Sequence, residues 1–119
     1  MQYLLLIYDA ESNRGKMTAD DQKAMMAGYF KFTADLKEAG KMIAGDALDS
    51  VSTATSVRVR DGKTLTTDGP FAETKEQLGG YYLIEADDLD DALGWAAKIP
   101  TSAWGTIEVR PIFDYSNMG

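Results

Sequence analysis

A chain of 119 residues, 45% hydrophobic and 26% charged, is expected to form one soluble globular domain spanning residues 1–119. Its 12 basic and 19 acidic residues leave a net charge of −7, which speaks against nucleic acid and against an anionic membrane surface. Cysteine and histidine are both absent, which removes disulfides, thiol chemistry, Ser-His and Cys-His catalysis, and histidine-ligated zinc or haem, and leaves acid–base work to Asp, Glu, Lys or Tyr.

The chain opens with an apolar run at residues 3–8, Tyr3-Leu4-Leu5-Leu6-Ile7-Tyr8, which reads as a strand. The run is too short to span a membrane and no basic segment precedes it, so a cytoplasmic protein is expected. Thr18 with Asp21 three residues later has the spacing of a capping box. The helix that follows should reach about Ala39 and end at Gly40, with Met25, Met26, Tyr29, Phe32, Thr33 and Leu36 as its apolar stripe. Residues 42–48 read as a second strand. Residues 55–67 read as a hairpin, because Thr55 to Arg60 alternates and Asp61-Gly62 suits a two-residue turn. Residues 80–86 are a further strand. Asp87 or Asp88 should cap a second helix carrying Leu89, Ala92, Leu93, Ala96 and Ala97, which ends before Pro100. Residues 106–113 form the last strand, and Pro111 assigns it to a sheet edge.

The order β-α-β, hairpin, β-α-β is an α+β, ferredoxin-like split βαβ plan with an inserted hairpin. Its first and third main strands lie at the sheet centre, and here both are apolar on both faces. Two helices cover only one face. A large side chain left in water on the other forgoes about 1.5 to 3 kcal/mol, so a two-fold dimer packed sheet face to sheet face is expected.

The run Asp68-Gly69-Pro70-Phe71-Ala72-Glu73-Thr74-Lys75-Glu76-Gln77-Leu78-Gly79-Gly80 resembles the signature of the YCII-related family, in the branch called DGPF-domain proteins. The resemblance extends to the opening strand, to Ala54 through Lys63 and to Gly105 through Pro111. It implies a dimeric α/β-barrel fold in a superfamily of small-molecule isomerases, monooxygenases and haem-handling enzymes. The family itself is largely without an assigned reaction, and its DGPF members resemble companions of extracytoplasmic-function sigma factors. A His-Asp pair suggested for the YciI-like branch cannot be carried over, because this chain has no histidine.

Asp68 is the leading candidate for acid, base or orienting group, with Arg58 and Arg60 on the nearby hairpin holding an anionic substrate. The plainer reading makes Asp68 a turn residue bonded to the backbone amide two residues on. Gly69 and Pro70 read as backbone devices and Phe71 as a core anchor. Glu73, Lys75 and Glu76 either line a cleft mouth beside Asp68 or form a solvated surface. Arg58, Arg60 and Lys63 fall on one hairpin face, as an anion clamp or as a charged edge that discourages strand addition. Tyr8, Tyr81 and Tyr82 offer hydroxyls to a ligand or pack as aromatics with a wet tip. Trp104 packs at the barrel end or roofs a pocket. The acids Asp87, Asp88, Asp90 and Asp91 suit a helix start and lack the spacing of a calcium loop.

Two functions compete: binding, with or without turnover, of a small organic molecule between sheet and helices, and a non-catalytic regulatory module associated with a sigma factor. No cofactor or metal is implied. The expected partners are a second copy of the chain and a small molecule, with no nucleic acid and no membrane.

Overall fold

Alternation along the first strand sets the layering. The computed structural model describes residues 1–118. In strand β1, Gln2–Asp9, the side chains of Tyr3, Leu5 and Ile7 are buried while Leu4, Leu6 and Tyr8 on the opposite face are half-buried. The remaining elements are helix α1 (Ala19–Glu38), strands β2 (Met42–Ala47), β3 (Thr55–Arg60), β4 (Lys63–Asp68) and β5 (Gln77–Glu85), helix α2 (Leu89–Ala96) and strand β6 (Thr106–Pro111). Short 3-10 turns at Glu11–Lys16 and Pro100–Ala103 precede α1 and β6. The main sheet is antiparallel in the order β2-β5-β1-β6, and β3 with β4 forms a separate two-stranded ribbon. The architecture is α+β and ferredoxin-like. The doubly apolar strands are central and the strand carrying Pro111 is an edge.

Both helices cover the same sheet face. Phe32 and Leu36 of α1 and Ala92 and Ala96 of α2 pack on Tyr3, Leu5, Ile7, Tyr82 and Ile84. Phe32 meets Tyr82 edge-on at 5.0 Å between ring centres, and the Tyr82 hydroxyl is satisfied by Thr33 Oγ1 at 2.8 Å. Leu5, Leu36, Ile84 and Ile99 are the largest fully buried side chains, each worth about 1.5 to 3 kcal/mol of apolar transfer. The capping box at the start of α1 is complete: Thr18 Oγ1 accepts from the Asp21 amide and Asp21 Oδ2 accepts from the Thr18 amide, both at 3.1 Å. At the far end Gly40 adopts the left-handed conformation with φ 72°. Asp88 caps α2 by accepting from the Asp91 amide at 2.8 Å, and Asp91 also holds Lys41 at 2.8 Å.

Several expectations are corrected. Met26 lies outside the buried stripe of α1, and Leu89 and Leu93 are half exposed on α2, because each helix presents only a narrow arc to the sheet. Phe71 is 82% exposed rather than a core anchor. It sits in the irregular segment between β4 and β5, outside both layers, where no helix or sheet face meets the ring. Strand β5 begins at Gln77, three residues earlier than predicted, because a bulge absorbs Gly79: Ile7 pairs with Gly80 and Tyr8 with Leu78.

The chain exposes 8335 Å², against about 6,300 Å² for a compact monomer of its mass. Its radius of gyration is 16.7 Å, where about 13.5 Å is usual for this length. The β3–β4 ribbon contributes to this shape: apart from Ser56, every residue in its strands is exposed. Its tip is the expected turn, with Asp61 and Gly62 at φ 52° and 74°.

Candidate functional site

The ends of β1, β5 and β6 converge where the two 3-10 turns meet α1. The turn Glu11–Lys16 follows β1 and the turn Pro100–Ala103 follows α2. Between them and the first half of α1 lies a cavity of about 580 Å³. Met17, Ala24, Met25, Pro100 and Trp104 make its apolar wall, and Asn13, Lys16 and Asp21 its polar one. Pro100 is the first residue of its turn, where a missing amide hydrogen costs nothing. Its ring lies so close to α1 that a Cβ at Gly28 would stand 3.1 Å away. The Asp21 carboxylate is held by the helix cap, whereas Lys16 makes no ion pair among the described residues.

Between the same elements lies a polar cluster around Asp9, the last residue of β1. Asp9 is only 9% exposed, and its Oδ1 lies 3.7 Å from Arg14 Nη2. Glycine flanks it on both sides. A Cβ at Gly79 would come within 3.0 Å of Arg14 Nη2, and one at Gly105 within 3.1 Å of Asp9 Cβ. Close approach to backbone explains Gly80, where a Cβ would stand 3.0 Å from the Asp46 carbonyl oxygen, whereas at Gly79 the nearest atom is the tip of the half-exposed Arg14 side chain. Tyr29 of α1 shares a hydrogen bond with Thr101. Burial holds the Tyr29 phenol above its ordinary pKa against the hydrogen bond to Thr101, and the neighbouring Tyr82 and then Asp9 add to that. The Asp9–Arg14 and Tyr29–Thr101 contacts tie the two cavity-forming turns to the sheet and to α1.

A second hollow of about 430 Å³ lies on the other side of the first turn, lined by Glu11, Ser50, Val51, Ser52, Gly69, Pro70, Ala72, Glu73, Thr74 and Gln77. Here the Glu11 amide donates to Gln77 Oε1 at 2.8 Å, and Glu11 Oε1 accepts from the Val51 amide at 3.0 Å.

The residues singled out from the sequence are dispersed. Asp68 ends β4 opposite Thr55, while Arg58 pairs with Leu65 and Arg60 with Lys63. Side chains alternate along a ribbon, so Asp68 projects from one face and Arg58, Arg60 and Lys63 from the other. The Asp68 carboxylate accepts no hydrogen bond among the described residues, and the residue two positions on is Pro70, which has no amide hydrogen to give. The turn is held instead by Gly69, at φ 102°, whose amide donates to the Ala54 carbonyl at 2.7 Å. Ser56 Oγ donates to the Gly69 carbonyl at 2.8 Å. Glu73 lines the smaller hollow, and Lys75 lies exposed in the same loop. Tyr8 stands on the open sheet face, its hydroxyl 3.4 Å from Glu108 Oε1. Tyr81, on that face too, donates to Asp46 at 2.8 Å. Trp104, 44% exposed, lines the larger hollow.

Sequence reasoning passed over Asp9, Arg14, Met17 and Lys16. A signal was present: a lone carboxylate closing an apolar central strand, with glycines at the facing ends of two later strands.

The sequence profile of the YCII-related domain matches residues 1–116. An uncharacterised protein of Rhizobium meliloti (strain 1021) is 36% identical over 117 residues, covering 97% of this chain and 94% of the relative. No helix among the described residues is long and apolar enough to cross a membrane. A match over nearly the whole chain, on a fold of the expected α+β form, shows that this protein belongs to the YCII-related family.

Proposed function

We propose that this protein binds a small, mainly apolar organic acid in the cavity between the two 3-10 turns and α1. The observation that carries this reading is the cavity itself. Its volume of about 580 Å³ falls in the range of small-molecule sites, and its wall is apolar with few polar groups. Lys16 is the cation for a carboxylate or comparable headgroup, while Met17, Met25 and Trp104 take the apolar body. The reading is one of binding, since the wall's single carboxylate, Asp21, is held by the helix cap. Octanoate is a suitable probe, followed by tryptophan fluorescence and by amide NMR shifts. Binding should move the resonances of Asn13, Lys16, Met25 and Trp104. Trp104→Ala should weaken it about tenfold or more through lost apolar contact. Lys16→Ala should abolish the preference for octanoate over octanol. Shifts confined to other parts of the chain would overturn the assignment.

The same protein is proposed to act as a homodimer joined through the open sheet face. What supports this is a contiguous half-buried patch, Leu4, Leu6, Tyr8, Tyr81 and Leu83, which neither helix covers. The surface excess of about 2,000 Å² over a compact monomer is also of the size that obligate dimers bury.

A further inference from the structure

We propose that the β3–β4 ribbon is a clasp whose uncharged face packs on a second copy of this chain. The inference rests on the homodimer reading and adds to it the element that completes the interface. An isolated two-stranded hairpin is at best marginally stable in water, yet among the described residues this one extends with no third strand and no helix over it. Its two faces differ. Thr55, Val57, Val59, Thr64 and Thr66 make one, which carries no charge before Asp68 at its root. Arg58, Arg60 and Lys63 crowd the other. Val57 and Val59 are 63% and 59% exposed, although β-branched residues in strands usually pack against a neighbour.

Three observations favour a second copy as the occupant. Surface comes first: every ribbon-strand residue but Ser56 is exposed in a chain that exposes about 2,000 Å² more than a compact monomer, and a two-fold partner covers such surface symmetrically. Charge comes second. The ribbon, residues 55–68, has three basic and two acidic residues, a formal +1, so the rest of the chain carries −8 of the total −7. A net-positive arm is thus drawn at long range to the acidic body of a second copy, while Arg58, Arg60 and Lys63 remain on the face turned away from it. Third is the root. Gly69 and Ser56 pin the two strands together at the ribbon's open end through the 2.7 Å and 2.8 Å bonds already described, so the strand register at its root is set before a partner binds. This gives the Asp-Gly-Pro turn a physical task in assembly.

Sedimentation equilibrium with amide hydrogen exchange tests the clasp. Both valines are more than half exposed within one chain, so the double variant Val57→Glu/Val59→Glu removes little internal packing. It is expected to raise the dimer dissociation constant about 100-fold, while Leu65→Glu on the opposite face changes it less than about fivefold. In the wild type, the ribbon amides should be protected at concentrations where the dimer forms and lose protection on dilution. A wild type that sediments as a monomer overturns the homodimer reading and the clasp with it. A wild-type dimer that survives the double charge insertion, with ribbon amides exchanging freely, overturns the clasp and leaves the sheet-face dimer standing.

Discussion

Adding one methyl group at Gly105 should be among the most damaging small changes available in this chain, while the same change at Gly94 should stabilise it. A Cβ at Gly105 would overlap the Tyr8 carbonyl oxygen and stand 2.8 Å from Thr101 Cγ2 and 3.1 Å from Asp9 Cβ. The first obstacle is backbone of the central strand β1, which cannot rotate away. Overpacking a rigid site costs about 1 to 3 kcal/mol, and backbone overlap sets Gly105→Ala at about 3 kcal/mol or more. Gly94 lies exposed inside α2, where an added Cβ meets nothing within 4 Å. Alanine there gains helix propensity of about 0.8 to 1 kcal/mol. In urea denaturation, with a slope of about 1.5 kcal/mol/M, the midpoint should fall by about 2 M for Gly105→Ala and rise by about 0.5 M for Gly94→Ala. Both variants must be compared with the wild type at one protein concentration, because dimerisation couples to folding. A Gly105→Ala midpoint within about 0.3 M of the wild type would refute the close approach of the Pro100–Ala103 turn, Asp9 and β1.

Thr18→Ala should cost about 1 kcal/mol by removing one half of the capping box, read by the same urea titration. The Tyr29 phenol has a raised pKa, so its contribution to stability is full below about pH 10 and is lost as pH rises past the unfolded value toward the folded one. Ultraviolet titration should find two late phenols, Tyr29 and the Asp46-bonded Tyr81, and Tyr29→Phe should remove one of them. The Lys41–Asp91 pair has the opposite signs on its two limbs. Its hydrogen bond lowers the Asp91 pKa, so that contribution fades as pH falls below about 3.9, and raises the Lys41 pKa, so the other fades as pH rises above about 10.4. The stability difference between wild type and Asp91→Asn should accordingly be flat between about pH 5 and 9 and shrink outside that window.

Much of the fold was legible because its signals are local. The double apolar character of Leu4 to Ile7 and of Tyr81 to Ile84 marked the central strands, and Pro111 marked an edge. Thr18 with Asp21, Gly40, Asp61-Gly62 and Asp88 announced caps and turns at their own positions. The site was far less legible. Asp68 with Arg58 and Arg60 looked like a constellation because they are near in sequence, yet ribbon alternation sends them to opposite faces. Phe71 looked like a core residue because it is large and apolar, yet the segment that carries it has no layer above it.

Sequence by itself determined the periods, the caps and the family, since each depends on neighbours within a few residues or on a contiguous pattern. Only the tertiary structure decided where the cavity lies and what surrounds Asp9. Those features join the end of β1, the turn after it and the first half of α1, which are consecutive, to the turn before β6, which lies about 70 residues further along the chain. Their meeting depends on β1 lying between β5 and β6, and on the bulge at Gly79 that leaves room for Arg14 beside Asp9. Strand order and register are set by how whole faces pack, and no short stretch of sequence carries that information.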